Sequence, residues 1–206
     1  DLTWEKTWST HLALRLGFFD RASLEVEFYN KKTTDMLMLV PESYAVTGEG
    51  QRWDNIGAML NRGVEFNVSA DVIRTKDFVW SVNANASYNK NKLLELYNGV
   101  QEYEVSTTAT KLVVGHSVSE FYINRYAGVN PANGDALWYT KDGQITNEYN
   151  EGDKVMTGKT FDAPWQGGFN TTLSWKGLSV SAHFSWVKDR WMMNNDRYFD
   201  AVSYTH

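Results

Sequence analysis

The chain has 206 residues, enough for one sizeable domain or two small ones. Its 42% hydrophobic and 15% aromatic content excludes a disordered segment, because that much apolar surface offsets the entropy of ordering. A net charge of -5, with no basic run longer than Lys31 and Lys32, excludes a phosphate-tracking nucleic-acid surface, and the absence of cysteine excludes disulfides, thiolate metal sites and thiol nucleophiles.

No run approaches the roughly 18 apolar residues of a membrane-spanning helix, the longest being Met36 to Val40. The chain opens on Asp1 without a basic-then-apolar leader, and it stops at His206 on no evident terminator. A portion of a longer polypeptide is therefore expected.

Period-two patterning carries most of the information. In the first run Trp8, Thr10, Leu12, Leu14, Leu16 and Phe18 alternate with Thr7, Ser9, His11, Ala13, Arg15 and Gly17. After a break at Phe19 to Arg21, Ala22, Leu24, Val26 and Phe28 alternate with Ser23, Glu25 and Glu27. A third run sets Val64, Phe66, Val68, Ala70 and Val72 against Gly63, Glu65, Asn67, Ser69 and Asp71. The fourth sets Phe78, Trp80, Val82, Ala84, Ala86 and Tyr88 against Val79, Ser81, Asn83, Asn85 and Ser87. Two late runs, around Phe169 to Trp175 and Leu178 to Trp186, are joined by Lys176 and Gly177, a two-residue hairpin with glycine supplying the positive φ.

Such strands suit a soluble sandwich, with the apolar face as core, and also an outer-membrane barrel, with that face in lipid. Two features favour the barrel. The runs last about 9 to 13 residues, the length of a tilted crossing, whereas soluble strands usually span about 5 or 6. Connections also alternate: tight near Asp20, long over Val40 to Asp54, tight near Lys76, very long from Lys90 to Gln166, tight at Gly177. Trp8, Tyr29, Phe78, Trp80, Tyr88, Trp175 and Trp186 fall near strand ends, as a headgroup-level girdle requires. Lys31, Lys32, Lys90 and Lys92 follow the long-loop ends, where lipid phosphates or plain solvent would meet them.

Parity limits the middle. The fourth strand ends on the long-loop side and the fifth starts there, so residues 90–166 hold no crossing or two. None is expected, since Phe121 to Val129 and Ala136 to Thr140 are short and "NPANGD" and "TKDGQIT" are turn-rich. The fold class expected is all-β: six spanning antiparallel strands of a larger transmembrane barrel, with 90–166 a long extracellular excursion. Six strands cannot close, because the smallest barrels have about eight.

The runs "DLTWEKTWSTHLALRLGFFD", "VEFYNKKTTDMLMLVP", "NIGAMLNRGVEFNVSADVI", "DFVWSVNANASYNKNKLLEL", "VGHSVSEFY" and "GGFNTTLSWKGLSVSAHFSWV" resemble, in order, the carboxy-terminal barrel of SusC/RagA-type TonB-dependent outer-membrane transporters. The resemblance covers nearly the whole chain. It implies a barrel of about 22 strands around a plug, with residues 1–206 inside a single barrel domain. It further implies the outer membrane of a Gram-negative bacterium, a SusD-like surface lipoprotein as lid, TonB as energy source, and a glycan or peptide as cargo. The plug and the TonB box are not among these residues.

Catalytic signatures are missing: the sequence has no G-x-S-x-G, H-E-x-x-H or phosphate-binding loop, and no catalytic residue, metal site or cofactor is expected. Glu25, Glu27 and Glu65 fall on a polar strand face, where pairing with Arg15 or solvation is expected rather than acid–base work. "NGD" and "KDG" offer too few carboxylates for a calcium cage. Recognition is the better expectation. Trp53, Tyr97, Tyr103, Phe121 and Tyr122 lead the candidates for ligand or partner contact, with Tyr44, Trp138 and Trp165 also in external stretches. Glu65, Asn67, Asn83, Asn85, Ser181 and His183 are the expected lumen-facing polar set. Two other readings stay open: a soluble or surface-attached carbohydrate-binding β-sandwich, and, less favoured, an all-β hydrolase.

Overall fold

A computed structural model describes residues 2–41, 48, 50–55, 57–105 and 109–193. In chain order the strands are β1 (Lys6–Phe18), β2 (Ala22–Thr34), β3 (Leu37–Pro41), β4 (Gln51–Asn55), β5 (Ala58–Arg74), β6 (Phe78–Glu95), β7 (Glu102–Val105) and β8 (Thr110–Val113). They continue as β9 (Glu120–Ile123), β10 (Arg125–Val129), β11 (Ala136–Tyr139), β12 (Ile145–Thr146), β13 (Val155–Thr160), β14 (Trp165–Trp175) and β15 (Leu178–Lys188). The only helical pieces among the described residues are single 3-10 turns at Tyr97–Gly99 and Glu151–Asp153.

The six strands expected to cross make one antiparallel sheet in the order β1-β2-β5-β6-β14-β15. β6 pairs directly with β14, Tyr88 facing Trp165 and Phe78 facing Trp175, so no described strand of this sheet lies between them in sequence. The hairpin turns explain the register. Phe19 and Asp20 both take positive φ, 52° and 53°, and Arg21 N–H closes the turn on the Phe18 carbonyl at 3.0 Å. At the other hairpin Lys176 (46°) shares the positive φ with Gly177 (87°), so glycine alone does not supply it. At the β5–β6 turn the Thr75 hydroxyl accepts from Phe78 N–H at 3.0 Å.

Register carries the alternation across the whole sheet. One row runs Leu16, Leu24, Val68, Ala84, Phe169, Phe184, and the row beside it Leu14, Val26, Phe66, Ala86, Gly167, Trp186. Among the described residues no second layer covers this face: Leu12 is 70% exposed, Val180 59% and Phe184 57%. A sandwich would bury these side chains. The buried apolar residues are instead Val40, Ala58, Leu93, Leu96 and Phe121, none of them in the middle of the sheet.

The dimensions fit a bilayer. From Phe78 to Tyr88 the apolar stripe of β6 runs about 34 Å along the strand at about 3.4 Å per residue. Tilted by about 45° it spans about 24 Å of membrane normal, matching the apolar band of about 25 Å on such barrels. Rings mark both limits: Phe78, Trp80 and Trp175 at the turn end, and Tyr88 with Trp165, centroids 4.7 Å apart, at the other. Trp165 is thus the first residue of a wall strand rather than part of an external stretch. Tyr29 departs from the girdle: it pairs with His11 and Gly63 on the polar face, where its hydroxyl donates to Asn89 Oδ1 at 2.9 Å.

Between β6 and β14 the chain forms small sheets of its own, β13-β9-β8-β7 and β10-β11-β12. They are latched to the end of β6. Leu93 N–H donates to the His116 carbonyl and Gly115 N–H to the Leu93 carbonyl, both at 2.8 Å, and Asn91 Oδ1 accepts from Val118 N–H at 3.0 Å.

Candidate functional site

The polar face of the sheet takes its shape from residues with strictly alternate parity. Arg15, Glu25, Asn67 and Asn85 form one cross-strand row, and Gly17, Ser23, Ser69, Asn83, Asn170 and His183 the next. Arg15 Nη2 donates to Glu25 Oε1 at 3.0 Å, and His11 Nδ1 lies 2.5 Å from Glu27 Oε1. Glu65 stands directly across from Glu27. Paired hydroxyls cross the strands at Ser23–Ser69 (2.7 Å), Thr172–Ser181 (3.0 Å) and Ser174–Ser179 (2.8 Å).

All six residues of the polar set lie on this face. Glu65, Asn67 and Asn85 line a shallow depression of about 500 Å³, and Asn67, Asn83, Asn85 and His183 line another of about 380 Å³. Ser181 lies beside them, held by Thr172. What this surface offers chemically is a field of neutral amides and hydroxyls around a few carboxylates. That suits weak, exchangeable hydrogen bonds to a polar solute.

One tight contact organises the face near its outer end. Gly63 lies under the Tyr29 ring, and a Cβ there would run into that ring and into the Tyr88 carbonyl. Overpacking of this kind costs about 1–3 kcal/mol. Gly63→Ala is expected to lower the unfolding free energy of the refolded barrel by that amount and to free the Tyr29 hydroxyl from Asn89. Urea titration in vesicles measures the first effect. On the apolar face Trp186 crosses Gly167 in the same manner, with a Cβ at Gly167 falling 2.6 Å from Trp186 Cζ2.

The aromatic candidates do not form one cluster. Tyr97 and Tyr103 meet edge to face at 5.9 Å. Trp53 sits on the separate β3–β4 hairpin, 55% exposed, across from Leu39. Phe121 is buried, its ring 6.2 Å from that of Phe161, and Tyr122 carries Lys111 Nζ over its ring at 4.8 Å. Trp138 lies between Tyr126 and Tyr149, at 5.5 and 5.2 Å. Tyr44 lies outside the described residues.

Sequence reasoning missed a buried polar knot at the latch. Glu120, 6% exposed, accepts from Gly158 N–H at 2.6 Å and pairs with His116 Nδ1 at 3.0 Å, beside the fully buried Ser119. "VGHSVSEFY" holds all three, but nothing in its spacing foretells that the β9–β13 pairing closes over them.

Electrostatics in the small sheets is ordinary ion pairing. The Lys111 ammonium, 2.8 Å from Glu102, holds that carboxyl below its usual 4.5, while the same bond raises Lys111. A depressed carboxylate adds stability above its unfolded value and loses it as pH falls. The β7–β8 hairpin is expected to loosen below about pH 4.5 and hold at neutrality, read by amide exchange at Tyr103 and Leu112.

A family model described as "TonB dependent receptor-like, beta-barrel" matches residues 1–206. The chain belongs to the TonB-dependent receptor β-barrel family. TonB-dependent receptor P26 of Formosa agariphila is 30% identical over all of this chain and 23% of its own length, and TonB-dependent receptor SusC of Bacteroides thetaiotaomicron is 29% identical over 98% of this chain and 21% of its own. Among solved structures, the RagAB peptide transporter superposes with a TM-score of 0.90 at 35% identity, over 97% of this chain and 23% of that one. The RagAB peptide importer in its open-open state gives 0.90 at 36%. This chain therefore spans between a fifth and a quarter of the length of each of these relatives. As part of a TonB-dependent receptor barrel, the sheet is open for a physical reason: among the described residues β1 pairs only with β2 and β15 only with β14, and closure needs more strands.

Proposed function

We propose that this chain is wall and external excursion of an outer-membrane active importer. The apolar face turns to lipid, and the polar face lines the passage. The observation that carries this reading is the uncovered apolar stripe, continuous over six strands and bounded by rings at both ends. The segment between β6 and β14, narrower than 90–166 because residues 90–95 and 165–166 belong to the wall strands, forms the excursion on the cell's outer side; there the Tyr97–Tyr103 pair, Phe121 and Tyr122, and on the β3–β4 hairpin Trp53, meet cargo or lid. Of these, the exposed Trp53 and the Tyr97–Tyr103 pair offer ring surface directly, while Phe121 contributes by shaping the loop core.

Glu65, Asn67, Asn83, Asn85, Ser181 and His183 wet the lumen and hold the solute weakly. Cargo is a glycan or a peptide, and likeness to a peptide transporter supports the peptide. A SusD-like surface lipoprotein caps the barrel, and TonB supplies energy through a part of the protein beyond this barrel wall. No covalent chemistry is involved. The test is fractionation and uptake by source cells carrying the intact protein. It is expected in the outer membrane, with uptake of its cargo abolished when TonB is deleted. A water-soluble protein, or uptake indifferent to TonB, would refute the proposal.

A further inference from the structure

The outward face does not end at its aromatic limit. Immediately beyond the row Leu12, Phe28, Val64, Tyr88, Trp165 the register places Thr10, Asn30, Arg62 and Lys90 side by side, and the next row places Trp8, Lys32, Leu60 and Lys92. All eight lie on the same face as the apolar stripe, because cross-strand partners share a face and alternate residues return to it. Two rows thus hold four cations, Lys32, Arg62, Lys90 and Lys92, every one exposed, and no carboxylate.

Their spacing is compact. Paired strands lie about 4.8 Å apart and alternate residues about 7 Å, so the backbone positions of the four cations all lie within about 12 Å of one another. Arg62 is oriented as well, its Nε donating to Asn30 Oδ1 at 2.6 Å. Two acids stand just beyond the patch: Asp35, past the end of β2 and engaged by Lys6 at 2.9 Å, and the exposed Glu95, three residues past Lys92 on β6 and across from Ala58. Lys31, adjacent in sequence, does not join them: its Nζ lies over the Tyr29 ring at 5.0 Å, on the polar face. The patch therefore looks outward, not into the lumen, directly above the Tyr88–Trp165 pair.

We infer that Lys32, Arg62, Lys90 and Lys92 form a binding site for the phosphate groups of a lipid headgroup in the leaflet on the excursion side. Rings at the interface with cations one row beyond are the vertical order of acyl chain, glycerol or sugar backbone, and phosphate. Arg62 grips a phosphate with fixed N–H donors, and the three ammonium groups add charge around it. This inference rests on the lipid-facing reading of the apolar stripe given above.

The test uses the full-length protein extracted from its own outer membrane, as wild type and as the quadruple variant K32Q/R62Q/K90Q/K92Q. Co-purified phosphorylated lipid is quantified by mass spectrometry per mole of protein, and heat-modifiable migration on gels reports a folded barrel. Each cation beside an anionic surface strengthens association about fivefold, so retained lipid is expected to fall at least tenfold in the variant. Added inorganic phosphate at millimolar concentration is expected to displace little of it. Equal retention by both proteins, no retained phospholipid or glycolipid in the wild type, or full displacement by inorganic phosphate would overturn the inference. A heat-modifiable variant in the outer membrane with unchanged lipid sinks the headgroup site alone, whereas a wild type absent from the outer membrane sinks the importer reading beneath it.

Discussion

Val68→Arg is expected to cost about 2–4 kcal/mol of folding free energy in a bilayer, the penalty for a guanidinium near the midplane of a barrel's lipid face. Val68 is placed for the full effect. It pairs with Leu24 and Ala84, and Ala84 lies midway along the stripe from Phe78 to Tyr88. The residue beside it gives the control: Asn67 stands on the opposite face between Glu25 and Asn85, so Asn67→Arg meets water and a carboxylate and is expected to cost less than about 1 kcal/mol. Refolding of the intact protein into vesicles, followed through urea, measures both. Equal effects at the two positions would mean that the faces do not see different solvents.

Leu93→Ala is the second large effect, of a different kind. Leu93 is 1% exposed where the excursion returns to the end of β6, and removing a fully buried leucine side chain costs about 2–5 kcal/mol. Its backbone bonds to His116 and Gly115 survive the substitution, so the loss is of packing under the loop. Hydrogen exchange is expected to show peptides over 110–123 losing protection, with 64–72 in the wall unchanged. Because the Tyr97–Tyr103 pair stands on the same latched segment, cargo capture should weaken while the barrel still assembles.

The wall is legible in the sequence because a strand exposed to different solvents on its two faces must alternate strictly. A single misplaced residue in Leu12, Leu14, Leu16 would put charge in lipid or leave an apolar face in water. The same parity sorts residues that composition sorts wrongly. Tyr29 counts as one more ring near a strand end, yet its odd position puts it over Gly63 on the polar face, and Lys31 follows it. The excursion is less legible. β8, β9 and β13 are only 4, 4 and 6 residues long, and turn signals such as "NPANGD" mark where strands break without saying which strands pair. That Phe121 is buried while Trp53 is exposed depends on such pairing. So does the union of His116, Ser119 and Glu120.

The central claim is that alternate residues of six strands face lipid and polar solvent. Spin labels on single cysteines test it most directly, placed at Leu14, Val68 and Phe169 and at Asn67, Asn83 and Ser181 in otherwise cysteine-free full-length protein held in a bilayer. The expected result is high oxygen and low nickel-chelate accessibility at the first three positions, with the reverse at the second three. Water-like accessibility at all six, or apolar positions shielded from both reagents as in a packed core, would contradict the account.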